Sequence, residues 1–233
     1  MGLSYSKREE VHKRINECTE KLLTKLDISS MGLSHLNDLP NFIIILDCSN
    51  NNLNNLPLNL PNSLEFLYCN DNKLEEIIDL PHSLKLLRAN NNRIKKLPDF
   101  LPKFMDTLDC TYNKLTQLPA DLPQSLRILS CGWNRILELP EVLPGNLQHL
   151  NCELNYLSCL PKLPLLLKSL YCEQNSLSEL PELPPNLEQL FCAKNNITRL
   201  PDLPVTLEIL MCDKNYIDKL PPLPPNIRKI RTF

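Results

Sequence analysis

Cysteine and histidine are the side chains of this sequence with the widest chemistry, because a thiolate or an imidazole can ligate a metal or attack an electrophile, and two thiols can form a disulfide. Ten cysteines and four histidines occur in 233 residues. Eight of the cysteines, Cys48, Cys69, Cys110, Cys131, Cys152, Cys172, Cys192 and Cys212, share one spacing of 20 or 21 residues, with Ala89 where a further one would fall. Residues repeated at such an interval form a column when each interval is one turn of a stacked structure. Neighbouring strands of a stack lie about 4.8 Å apart with parallel Cβ vectors, whereas a disulfide needs Cβ atoms about 3.8 Å apart, so bridges along the column are excluded. Zinc is excluded too, since its four ligands converge tetrahedrally and a row offers one per layer. The thiols are expected to act as small core hydrophobes. Cys18 and Cys159 lie outside the column, and packing is expected for them as well. His12, His35, His82 and His149 fall at unrelated phases of the interval and assemble neither a ligand set nor a Cys/His nucleophile pair.

Other catalytic patterns are missing. The sequence has no G-x-S-x-G, H-E-x-x-H or Walker pattern, and its four glycines cannot supply the glycines at fixed offsets that phosphate-cradling loops require. Neither enzymatic activity nor a cofactor is expected. Twenty-five Lys and Arg against 27 Asp and Glu leave a formal net charge of −2, which offers no basic surface for nucleic acid. Residues 1–25 lack the apolar core of a secretory signal, and no apolar run is long enough to cross a bilayer. A cytoplasmic location is therefore expected, the host cytosol if a pathogen encodes the chain. The first six residues satisfy M-G-x-x-x-[ST], which makes Gly2 a lipidation candidate for myristoylation. A membrane is a partner only through that acylation.

The elements that must position these side chains follow from the repeat itself. The unit L-x-x-L-x-C-x-x-N-x-L-x-x-L-P-x-x-L-P-x has its first apolar residue at Leu23, Ile43, Leu64, Leu84, Met105, Leu126, Leu147, Leu167, Leu187, Leu207 and Ile227, at intervals of 20 or 21 residues. From the second leucine to the cysteine the alternation has period 2, which predicts a short strand, and strands of successive units stack in parallel. The Asn column (Asn51, Asn72, Asn92, Asn113, Asn134, Asn155, Asn175, Asn195 and Asn215) is expected to turn the chain inward and pair its amides with backbone groups of neighbouring turns. Met31 holds that place in the first repeat, which predicts a looser or differently capped turn. The L-P-x-x-L-P segments, where many of the 21 prolines stand, lack backbone donors and favour extended or polyproline geometry without helices. Ahead of the array, Ser6 and Glu9 have the form of a capping box, and Val11, Ile15, Cys18 and Leu22 make one apolar stripe, which predicts a capping helix over about residues 6–22.

The unit resembles the short bacterial-type leucine-rich repeat of type III secreted effectors and giant-virus proteins over residues 23–233, and RINECTEKLLTKLDISSMGLSHLNDLP resembles the lead-in of such arrays. The resemblance implies an α/β repeat fold, a right-handed solenoid with a parallel concave sheet and an extended convex side, used for protein recognition and carrying no chemistry by itself. The expected organisation is an N-terminal segment with a capping helix over 1–22 and a solenoid of about ten repeats plus a terminal half repeat over 23–233.

What the array leaves for function is its concave face, whose residues flank the second leucine of each unit. Ile45, Phe66, Tyr68 and Leu86, with Arg88, form one expected patch; Tyr171, Phe191, Ile209 and Met211 form another. Tyr112 and Trp133, the one tryptophan, lie in the adjoining column. Aromatic, Met and Arg side chains are those that recognition surfaces favour. The expected function is non-catalytic binding of an unidentified protein on this face, the alternatives being a membrane-tethered adaptor and a self-assembling structural protein. At the C-terminal edge, Arg228, Lys229 and Arg231 are expected to discourage pairing by charge, leaving a monomer or weak self-association there.

Overall fold

The computed structural model describes residues 5–36 and 39–232, with side chains from residue 9 onward. One helix, α1 (Tyr5–Glu20), precedes eleven strands of three residues: β1 (Lys25–Asp27), β2 (Ile45–Asp47), β3 (Phe66–Tyr68), β4 (Leu86–Arg88), β5 (Thr107–Asp109), β6 (Ile128–Ser130), β7 (His149–Asn151), β8 (Ser169–Tyr171), β9 (Gln189–Phe191), β10 (Ile209–Met211) and β11 (Lys229–Arg231). They form a single parallel sheet in sequence order, one strand per turn of a solenoid, with equivalent residues of each repeat in register. The middle residue of each strand from β1 to β10 is buried and the flanking residues point outward, as period 2 demands. Behind the sheet, columns such as Leu64, Leu67, Cys69 and Leu74 are fully buried and continue from repeat to repeat as one core.

The asparagine column closes each turn. Asn134 Nδ2 is shared among the carbonyl oxygens of Cys110 in the preceding repeat and Cys131 and Gly132 in its own, all at 3.0 Å, and its Oδ1 accepts the Leu115 N–H at 2.9 Å. The same pattern recurs from Asn72 to Asn215. The residue before each asparagine adopts a left-handed conformation, with φ between 53° and 57° from Asn50 to Lys214 apart from Leu154 at 50°. None of these is a glycine, so glycine content gave no sign of the turn. In the first repeat Ser30 takes the same conformation at φ 59°, and the N–H groups of Met31 and Leu33 both donate to Asn51 Oδ1 at 3.0 and 2.9 Å. That turn thus keeps its shape without an amide of its own, rather than loosening.

On the opposite side, the proline three residues before the first apolar residue of the next repeat opens a tight turn. Its carbonyl accepts the N–H three residues on, as in Pro61 to Leu64 at 3.0 Å and Pro184 to Leu187 at 3.1 Å, and the chain bends back into the next strand. Inside these turns Ser63, Ser125 and Thr206 donate their hydroxyls to carbonyl oxygens of the preceding repeat, Ser63 to Ile43 at 2.7 Å and Thr206 to Leu187 at 2.8 Å.

At the start, α1 covers the first repeat with Val11, Ile15 and Cys18, and the Arg14 guanidinium donates to the Asp27 carbonyl at 3.0 Å. Ser6 lies within the helix, and its side chain is outside the described ones. The apolar stripe does not extend to Leu22. The Leu23 N–H bonds back to the Cys18 carbonyl at 2.9 Å and the Leu22 N–H to that of Thr19 at 3.3 Å, with Leu22 at φ 48°. This is a Schellman termination, and it swings Leu22 out to 71% exposure and leaves Leu23 exposed, so Leu26 and Ile28 supply the first repeat's core. At the other end β11 is exposed throughout. Arg228 and Arg231 fold back on Glu208 and Asp213, each at 3.4 Å, which leaves Lys229 as the edge cation outside these pairs.

Asn134→Ala removes one amide from four backbone partners in a buried position. It is expected to cost about 1–3 kcal/mol, read as a lower urea midpoint, because the partners stay buried without it; an unchanged midpoint would contradict the ladder as a source of stability.

Candidate protein-interaction surface

Burial decides the fate of the thiols. All ten are free; nine are buried and Cys159 is exposed. Burial pushes the Cys48 and Cys152 thiols up to about 12 and that of Cys212 to about 11, and drives Cys69, Cys110, Cys131, Cys172 and Cys192 upward as well. At neutral pH they are thiols, which are poor nucleophiles and poor metal ligands. Cys48 and Cys110 donate weakly to the carbonyls of Tyr68 and Ser130, both at 3.4 Å. Cys18 is buried on the core-facing side of α1, its thiol 3.1 Å from the Leu23 carbonyl. Cys159 does not pack: Leu157 and Leu160 on either side take the inward positions and turn it to solvent. Among the described residues no three His, Cys, Asp or Glu side chains converge into a metal-binding group. Gly2 lies outside the described residues.

The outward strand positions make up the remaining surface. Register aligns Ile45, Phe66 and Leu86 in one row and Asp47, Tyr68 and Arg88 in the next. The Arg88 guanidinium lies 5.8 Å from the centre of the Tyr68 ring, within cation–π range, so this patch carries its own cation. Strands β5 to β7 then present mostly polar groups, Thr107 and Asp109, Ser130, His149 and Asn151, around Ile128. On β8 to β10, Tyr171 stacks on Phe191 with ring centres 4.6 Å apart and planes 15° from parallel. The Tyr171 hydroxyl donates to Gln189 Oε1 at 2.9 Å, which fixes the ring. Ile209 is half-buried beside them, but Met211 is only 7% exposed. Met211 is hemmed in by Phe191 and Arg231, its register partners, and Arg231 reaches along that side to Asp213. It supports the aromatic pair from the side and is not itself a contact surface. Trp133 stacks on Tyr112 at 4.3 Å in the left-handed column, 39% and 49% exposed, so these two rings brace each other at the rim of the sheet.

Two charged features escaped the reading of the sequence. One residue ahead of the strands, Glu65 pairs with Lys85 at 2.8 Å, Asp106 with Arg127, and Lys168 with Glu188 at 3.6 Å. The Arg127 hydrogen bond holds the Asp106 carboxyl below the usual carboxylate range. Two residues beyond the aromatic row stand Glu153, Glu173 and Asp213. Burial first, then repulsion from Glu153 and Asp213, holds the Glu173 carboxyl above its usual range, with Lys194 opposing. The repeat phase would have located both sets had every outward column been read, not only the two beside the second leucine.

A parallel sheet with one three-residue strand per 20–21-residue turn, closed by an asparagine ladder, defines a leucine-rich-repeat protein, a class of protein-interaction modules. No family model and no curated protein matches the chain. Among solved structures it is similar to YopM from Yersinia enterocolitica WA-314 (36% identity, TM-score 0.94, 97% of this chain and 50% of that one) and to YopM, a leucine-rich effector protein from Yersinia pestis (37%, 0.91, 96% and 64%). It is also similar to a Shigella effector leucine-rich-repeat domain (35%, 0.67, 74% and 78%). The chain belongs to the short bacterial type of leucine-rich-repeat proteins found in such effectors. It spans half of the first YopM chain and less than two thirds of the second.

Two outcomes check these assignments. Titration of the native protein with a thiol reagent is expected to modify one cysteine quickly, Cys159, and all ten after unfolding; several fast equivalents would show that the column is open. For Glu173, a carboxyl raised in the folded state destabilises the fold where it is charged, a cost fully present above its folded value and lost below the unfolded one. Glu173→Gln is therefore expected to raise the melting temperature at pH 7, with the gain shrinking as pH falls through the carboxylate range. A variant that melts lower at pH 7 would refute the repulsion.

Proposed function

We propose that this chain is a non-catalytic binding module that takes a protein partner on the concave face of its sheet. The observation that carries this reading is the placement of Phe66, Tyr68 and Leu86, and of Tyr171, Phe191 and Ile209, in two contiguous patches at outward strand positions. Outward positions of a sheet open on one side are ordinarily polar, and contiguous apolar groups there are characteristic of association surfaces. Stacked and hydrogen-bonded rings lose little freedom on binding, which suits them as anchors. From β4 to β8 the two patches are about 19 Å apart at 4.8 Å per strand, so one partner domain or one extended segment reaches both. YopM of Yersinia pestis and the Shigella protein are effectors; the same role here makes the partner a protein of a host cell, met in its cytosol. Ten free thiols suit that reducing compartment.

Capture from host-cell lysate by the intact chain, beside Phe66→Ala/Tyr68→Ala and Tyr171→Ala/Phe191→Ala variants with unchanged circular dichroism, tests the assignment. A protein retained by the intact chain and lost from at least one variant is the expected result. A partner held equally by all three moves the site off this face.

A further inference from the structure

The two apolar patches differ in charge. In the first, Arg88 already lies over the Tyr68 ring. In the second, aromatic rings border carboxylates: Arg231 pairs with the buried Asp213 at 3.4 Å, and the exposed Lys194 acts on Glu173 through space without an ion pair among the described residues. Glu153 and Glu173 form no ion pair among the described residues. Glu153 is held in place by Asn151, whose Oδ1 accepts the Glu153 N–H at 3.0 Å and whose Nδ2 donates to its Oε1 at 3.3 Å. Gly132 makes this arrangement possible, since a Cβ there would lie 2.7 Å from Asn151 Oδ1 and 3.0 Å from Glu153 Cγ.

Resting on the concave-face reading above, we propose that strands β7 to β9 take a cationic segment of the partner polypeptide, with a Lys or Arg side chain against Glu153 and Glu173 and a neighbouring apolar side chain against Tyr171 and Phe191. Charge complementarity selects this occupant. Two carboxylates beside half-buried rings repel each other, and the upward displacement of the Glu173 carboxyl reflects that repulsion together with its burial; an incoming cation relieves it. Tyr171 ends β8 and Glu173 stands two residues beyond it, a separation of about 6.6–7 Å at the strand rise. Side chains at i and i+2 on one face of an extended peptide have the same separation, so the segment recognised is apolar-x-Lys/Arg or its reverse, aligned with the strands. An acidic segment is rejected by the same carboxylates, which gives the second patch a selectivity that its apolar groups lack.

The test uses a fluorescent undecapeptide, Gly-Ser-Leu-Ser-Arg-Ser-Leu-Ser-Arg-Ser-Gly, titrated with the whole chain and read by anisotropy, beside peptides with Leu replaced by Ser or Arg replaced by Glu. The protein variants are Glu153→Gln/Glu173→Gln, Tyr171→Ser/Phe191→Ser and, as a control of equal charge change on the opposite side, Glu179→Gln/Glu182→Gln. The Leu/Arg peptide is expected to bind the intact chain and the control alike and the Glu153→Gln/Glu173→Gln variant at least about tenfold more weakly, and both altered peptides are expected to lose binding. Binding unchanged by Glu153→Gln/Glu173→Gln overturns the proposal. If Tyr171→Ser/Phe191→Ser still abolishes that binding, the concave-face reading stands without its cationic occupant, whereas indifference to both pairs counts against both. Absence of binding to the intact chain, equal binding of the Leu-to-Ser peptide, or its displacement by millimolar calcium alone also overturns it.

Discussion

Nine asparagine side chains carry the solenoid from one turn to the next, and the remainder of the architecture is arranged around them. An amide suits the position because it offers donors and an acceptor together: the donors reach carbonyls in its own turn and the preceding one, while the oxygen receives an N–H from the preceding turn, as at Asn113. Serine has one donor, and aspartate has none when ionised. In a structure whose repeats touch only their neighbours, stability is a sum over turns and interfaces. The leucine columns supply apolar burial at each interface, and the amides fix the register at which that burial occurs.

The ladder has a conformational consequence. For the amide to point inward, the residue before it must turn the chain with a positive φ, which costs a non-glycine residue about 1–2 kcal/mol. The closed amide network over-determines that conformation. Since the strained residue points its own side chain away from the core, its type is free, and the column runs through Asn91, Tyr112, Trp133, Leu154 and Lys194. Neighbours on the column then find each other: Tyr112 stacks on Trp133, and Asn50 donates to the Ser30 hydroxyl at 2.9 Å. The cysteine column obeys the opposite rule. Its side chains face the core next to carbonyls already shared with the asparagines, leaving room for a thiol or, at position 89, a methyl group.

With the inward positions committed, chemical variety is confined to outward columns. There the sheet carries one aromatic patch with a cation and one with carboxylates, separated by mostly polar strands. Ion pairs between adjacent repeats along the strand entrances are exposed and contribute little to stability individually. Their alternation of sign, as in Glu65 with Lys85 and Lys168 with Glu188, keeps that rim close to neutral, so the charge of the face resides in the columns beside the aromatic rows.

By itself the sequence determined everything that one repeat imposes on itself. Period 2 around the second leucine located the three-residue strands, the interval of 20 or 21 residues stacked them, and the column of cysteines read correctly as buried thiols because only inward positions recur so strictly. The identities of Phe66, Tyr68, Tyr171 and Phe191 as outward residues followed from the same phase. The tertiary structure decided what depends on a neighbour. Leu22 continues the apolar stripe in sequence, yet the helix ends in a Schellman turn that exposes it. Met211 has the phase of an outward residue, yet Phe191 and Arg231 enclose it; Cys159 is apolar in character, yet Leu157 and Leu160 claim the inward places. Glu153, Glu173 and Asp213 are 20 and 40 residues apart in sequence and acquire their repulsion only when stacking sets Glu153 beside Glu173 and Asp213 two repeats away, across Ala193. Local periodicity specifies which way a side chain points, and only packing specifies what it meets there.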